Sequence, residues 1–203
     1  MTAHHSQRQD LPAFTIFGRA VAHLRRISRS VAGVVLPYLD RYSFRPQGES
    51  GTNEWRAYVH HFLAPDDDGH HNHPFAWSLS IVLRGSYTEE VLHIGTKVTW
   101  TETRRVRWFN WITADKYHRI VSLHPARPGA APGAGVWTLF LAGPLARDRA
   151  GTPRGWGFWL PGRGHVPWKQ RNAELERAAE TAAGQRSAAD FLVAMVRART
   201  PTN

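Results

Sequence analysis

The chain has 203 residues, 42% of them hydrophobic and 11% aromatic, with a formal net charge of +10 and no cysteine. Without cysteine, disulfides, thiolate ligands and thiol nucleophiles are excluded, and metal or acid–base chemistry falls to 12 histidines and the carboxylates. No apolar run approaches the roughly 20 residues needed to cross a bilayer; the longest, Val31 to Leu39, is interrupted by Gly33 and Pro37.

The first ten residues are polar and are expected to be disordered. From Leu11 to about Tyr42, Phe14, Phe17, Val21, Leu24 and Ile27 recur at three- and four-residue spacing. This spacing predicts an amphipathic helix whose apolar face packs on the rest of the fold rather than on a membrane. Residues Arg45 to Asn53 read as a polar connector. From Glu54 to about Trp168 the pattern changes to short runs rich in β-branched and aromatic residues. Strands are expected at Ala57–Leu63, Ser78–Leu83, Tyr87–Ile94, Lys97–Thr103, Arg119–Leu123 and Val136–Leu141. Many short strands without intervening helices point to a sandwich or closed barrel. After Lys169 the chain turns helical, first over Ala173–Ala183 and then, after Gly184, from the capping-box pattern Ser187–Asp190 into Phe191, Leu192, Met195 and Val196. The domain expectation is therefore 1–10 disordered, 11–53 helix and connector, 54–169 β-barrel and 170–203 helices.

The arginines are dispersed along the chain rather than clustered, which speaks against a nucleic-acid partner. Met1 to His5 has no basic start followed by an apolar stretch, so a cytoplasmic location is expected.

The chemically informative segment is Asp66-Asp67-Asp68-Gly69-His70-His71-Asn72-His73-Pro74. Residues two apart on an extended strand share a face, so His71 and His73 can chelate one ion. A third ligand must come from elsewhere, and His118, on the strand-like run Asp115–Ile120, is the best placed. His60 and His61 sit at adjacent strand positions and read as packed or surface residues, His70 points away from the pair, and His165 reads as surface.

Three elements together, His71-Asn72-His73-Pro74, then Val82-Leu83-Arg84-Gly85 twelve residues after the second histidine, and Ala114–Ile120 bearing His118, resemble the cupin superfamily over roughly residues 55 to 145. The resemblance implies a mostly β fold, a double-stranded β-helix or jelly-roll barrel, here with N-terminal and C-terminal helices. It also implies one divalent metal ion on His71, His73 and His118. Two departures stand out: Trp77 and Ser78 occupy the positions where cupins carry a glutamate ligand, and Arg107 replaces the glycine that opens the second motif.

Without that glutamate the ligand set is three neutral imidazoles, which leave a doubly charged ion with positions open to an anionic or chelating small molecule. Fe(II) is the metal first expected, with Mn, Ni, Cu or Zn also accepted by imidazole. Tyr87 and Glu89 share a strand face and are the candidates for catalytic work, Glu89 also as a fourth ligand. Trp77, Arg84 and Arg119 are the candidates for substrate binding, the arginines as carboxylate or phosphate clamps. The function expected is a non-haem Fe(II) oxygenase acting on a small polar metabolite, against a metal-dependent isomerase, epimerase or lyase and a non-catalytic ligand-binding cupin. A homodimer is expected from the resemblance alone.

Overall fold

The computed structural model describes residues 4–7, 14–16, 19–31, 34–43, 55–66, 69–96, 98–126, 135–178 and 180–182. Nine strands carry the region read as β. They are β5 (Arg56–Phe62), β6 (Trp77–Arg84), β7 (Ser86–Ile94), β8 (Thr99–Val106), β9 (Phe109–Thr113), β10 (Tyr117–His124), β11 (Val136–Ala142), β12 (Gly157–Leu160) and β13 (Gly164–Pro167). All paired strands are antiparallel. One sheet runs β5-β11-β6-β9 and the other β10-β7-β8.

Residue His71 bridges His118 of β10 on one side and Phe158 of β12 on the other, linking the second sheet to the β12–β13 hairpin. Antiparallel sheets packed in this order form a jelly roll. They pack face to face: Tyr87, Val106 and Ile120 of one sheet are buried with Val136 of the other, against Phe62 and Val82. The burial of β11 alternates residue by residue, as expected for a strand with one face toward the core. The tight turn from β6 into β7 depends on Gly85, whose φ is 83°, and a Cβ there would lie 2.8 Å from the His124 carbonyl oxygen.

The expected N-terminal helix is corrected by the structure. Residues 14–43 form β2 (Phe14–Ile16), β3 (Arg19–Val31) and β4 (Val34–Ser43), and β4 pairs with β5, so the segment extends the first sheet. Val21, Ile27, Val31, Val34 and Val35 favour extended backbone, Pro37 opposes helix, and the edge of β5 offers hydrogen bonds that a helix would leave unmade. The expectation of disorder at residues 1–10 is likewise corrected for His4–Gln7, which form β1 against Arg26–Arg29. After β13 the chain is helical over 168–178 and 180–182, in line with the first C-terminal helix. The second, from Ser187, and the connector Arg45–Asn53 lie outside the described residues. No helix among the described residues is long and apolar enough to cross a membrane.

Candidate metal centre

The segment before β6 is fixed along β10 at two points. Asp66 donates its backbone N–H to the Ile120 carbonyl at 2.6 Å, and its Oδ2 accepts the Ile120 N–H at 2.6 Å. Tyr38 donates its hydroxyl to the Asp66 carboxylate as well. Further along, His71 and His118 exchange both backbone hydrogen bonds at 2.9 Å. Residues opposed in this way point to the same face, so the two imidazoles meet inside the barrel.

Asn72 points the other way and closes the turn. Its Nδ2 donates to the Ala114 carbonyl at 2.9 Å, and its Oδ1 accepts the Gly157 N–H at 2.8 Å. That pins the alternation and returns His73 to the face of His71.

The three rings form a nearly equilateral triangle, with centroids 5.5 Å (His71–His73), 5.2 Å (His71–His118) and 5.2 Å (His73–His118) apart. One nitrogen from each lies within 4.8 Å of the others, and the Nε2 atoms of His73 and His118 face each other at 3.0 Å. Imidazole nitrogens bound at about 2.1 Å to one ion, at right angles, would be separated by about 3.0 Å. The donor set therefore fits a divalent metal.

Glu89 completes the arrangement from behind His118. It is fully buried, and its Oε2 lies 2.9 Å from His118 Nδ1. This bond to a carboxylate places the imidazole proton on Nδ1 and leaves the Nε2 lone pair aimed at the centre of the triangle. The other acceptor positions are also taken: Asn110 Nδ2 donates to Oε2 at 2.7 Å, and Arg104 Nε and Lys116 Nζ donate to Oε1 at 2.7 and 3.1 Å. Burial pushes the Glu89 carboxyl up, but the His118 hydrogen bond, the Lys116 charge and the Arg104 hydrogen bond outweigh it and hold the group well below the usual carboxylate range. The carboxylate thus stays charged and grips the imidazole instead of presenting a fourth ligand atom.

His73 is held neutral, because burial and then the neighbouring His118 and His71 disfavour its protonated form. Neutral imidazole is the form that binds metal. Apolar rings close the sides: Phe140 lies 5.5 Å from His73, and Phe158 and Trp156 lie 6.1 and 6.3 Å from His71.

The other residues singled out in the sequence fall elsewhere. Tyr87 is buried in the core, and its hydroxyl accepts from Asn110 at 3.2 Å; burial and then the Glu89 charge push its pKa up to about 12. It supports Asn110 and does not reach the ring triangle. Trp77 stacks on the exposed Trp111 at 5.5 Å. Arg84 is exposed at the end of β6, beside Ser86, which pairs with His124 six residues and about 20 Å along β10 from His118. Arg119 pairs with Glu90 at 2.8 Å on the opposite face of β10 from His118. The pleat that turns His118 inward turns Arg119 outward, and so neither arginine is a clamp at the histidines.

The residues that hold Glu89, namely Asn110, Lys116 and Arg104, and the Arg41 partner of His60 escaped the sequence. Asn110 and Lys116 hold Glu89 from β9 and the turn before β10. On β5, His60 is buried, stacks on Phe140 at 5.1 Å and accepts from Arg41 Nε at 3.2 Å. Burial and then the Arg41 charge keep His60 neutral. The alternation of β5 signalled that one of His60 and His61 faces inward; nothing local signalled Arg41, which arrives on a strand the sequence suggested was helix.

No family model matches the chain and no curated protein matches it in sequence. Solved structures similar to it include one of oxalate oxidase, 15% identical with a TM-score of 0.35, covering 60% of this chain and 56% of that one. Another is a tryptophan-to-tyrosine variant of oxalate decarboxylase from Bacillus subtilis, 11% identical with a TM-score of 0.36, covering 73% of this chain and 33% of that one. The chain thus spans little more than half of the first and a third of the second. What the site can do is decided by its own residues.

Proposed function

We propose that the protein is a cupin-type mononuclear metalloenzyme, and that it carries out Fe(II)-dependent oxygen chemistry on a small, anionic or chelating metabolite. The observation that carries this reading is the ring triangle of His71, His73 and His118 with Glu89 behind it. When bound, the ion supplies a Lewis-acidic, redox-capable centre with coordination positions open beyond the three imidazoles.

The chain's own residues do the rest. Glu89 sets the tautomer and direction of His118. Because both Glu89 oxygens are occupied by His118, Asn110, Arg104 and Lys116, the histidines bring no negative charge to the ion, which supports an anionic ligand in the open positions. Arg41, directly opposite His60 in the β4–β5 ladder, adds a positive charge that contributes to keeping His73 neutral. Phe140, Phe158 and Trp156 exclude water from the sides of the site.

Elemental analysis of tag-free protein, beside His71→Ala and His118→Ala, tests the centre. Near one metal ion per chain in the wild type, lost in both variants while the fold persists, is expected. Oxygen uptake by the Fe(II)-loaded protein with thiols, amino acids or catechols tests the reaction. Metal binding with silence toward all of these would favour oxygen-independent chemistry such as isomerisation, and absence of metal after anaerobic Fe(II) reconstitution would leave a ligand-binding barrel.

A further inference from the structure

The two sheets end at β8 and at β9, and an open cleft of about 900 Å³ lies between these strands. Trp100, Glu102 and Arg104, alternate residues of β8, line it on one side, and Trp111 of β9 lines it on the other. The cleft is separate from the metal centre. Arg104 and Lys116 line it and donate to Glu89, so this carboxylate and the His118 ring stand between the cleft and the His118 Nε2 that faces His73.

The tryptophans of the cleft are built as platforms. Trp100 stacks on His93 with ring centroids 3.9 Å apart, and Trp111 on Trp77 at 5.5 Å. Each indole thus has one face packed on another ring, yet each is 52% exposed, so the second face is wet. An indole held in this way is already ordered, and covering its wet face removes apolar surface from water with little further loss of freedom. Its electron-rich face accepts the positively polarised C–H groups of a flat ring.

The charges around the cleft are balanced within the chain. Arg104 and Lys116 share Glu89, Arg154 pairs with Asp115 at 2.7 Å, and Glu102 lies 3.1 Å from His93. Three cations face three carboxylates, which leaves no excess charge to draw in an ion. Hydrogen-bonding capacity of both kinds does remain. Among the described residues, Glu102 Oε1 and Asp115 Oδ2 accept from no protein donor, and Arg104 Nη1 and Arg154 Nη2 donate to no protein acceptor. The matching ligand is uncharged, carries hydroxyls that both donate and accept, and presents flat C–H faces. We propose that the cleft binds a neutral oligosaccharide, its pyranose rings stacked on Trp100 and Trp111 and its hydroxyls bonded to Glu102, Asp115, Arg104 and Arg154. A purely aromatic ligand would cover the indoles but strip water from these four groups without replacing it.

Titration calorimetry of the full-length protein with cellohexaose, laminarihexaose, maltohexaose and the hexamer of N-acetylglucosamine tests the cleft. Binding of at least one at millimolar concentration or below is expected, weakened about tenfold or more by Trp100→Ala and by Trp111→Ala. Trp108→Ala should change nothing, because Trp108 is 78% exposed but lies outside the cleft. Thermal unfolding checks that each variant keeps its fold. Should Trp111→Ala lose it with the Trp77 stack, Trp100→Ala, at a half-exposed strand position, decides alone. Failure of all four oligomers to bind at millimolar concentration overturns the proposal. So does binding that survives the loss of the cleft tryptophans, or that weakens equally in Trp108→Ala.

Discussion

Glu89 and Glu90 are neighbours on β7, face neighbouring residues of β10, and have opposite fates. Glu89 is fully buried and binds His118, Asn110, Arg104 and Lys116. Glu90 is partly exposed and pairs with Arg119 at 2.7 Å on the outer face. The same side chain, one residue apart, holds one of the three clustered imidazoles in one case and forms a surface ion pair in the other. The pleat makes the difference. Inside, where water cannot screen, a carboxylate with four donors is fixed and directs its partner; outside, the same pair is screened and weak. β5 repeats the lesson with His60, buried and neutral, and His61, which stacks on Trp137 at 4.1 Å.

The sharpest way to break this comparison is to neutralise the inner carboxylate. Glu89→Gln leaves the largely buried Lys116 without its opposite charge, a loss that typically costs about 3–5 kcal/mol. It also loosens His118, which should weaken metal affinity about 10- to 100-fold. Urea unfolding and competitive metal titration measure the two effects; an unchanged affinity would sink the positioning role of Glu89.

Acidification should act next, and through the inner face. His60 and His73 have folded-state pKa values below that of the unfolded chain, so below about pH 6.5 the unfolded state binds more protons and stability falls as pH falls. The slope for metal-free protein should reach as much as about 1.4 kcal/mol per pH unit for each such histidine. His60→Gln should flatten it, as read from melting temperatures at pH 7.5, 6 and 5.

The smallest effect belongs to the outer pair. Glu90→Gln is expected to change stability by less than about 1 kcal/mol and to leave metal affinity unchanged. A loss of metal in this variant comparable with that in Glu89→Gln would erase the distinction between the faces.

Much of this architecture was legible in the chain. Short runs rich in β-branched and aromatic residues marked β5, β6, β7, β8, β10 and β11, because such side chains fit a pleated surface and are avoided in turns. β9 went unread: its exposed alternate positions are Phe109 and Trp111, so polar-out alternation is missing. The N-terminal strands went unread because their apolar spacing fits a helix as well as it fits a strand. Only the open edge of β5 decides between them.

The structure brings the rings of His71, His73 and His118 together. Of these, His71 and His73 were legible as a candidate chelating pair from their two-residue spacing, and His118 as the third candidate from the strand-like run that carries it. That much the sequence determined by itself, since residue type and two-residue spacing are local properties. Which carboxylate works on His118, which arginine stays outside and which enters the barrel, and where the edge aromatics gather were decided only by the tertiary structure. Each depends on the register between strands distant in sequence, where a shift of one residue would exchange Glu89 for Glu90 and His118 for Arg119.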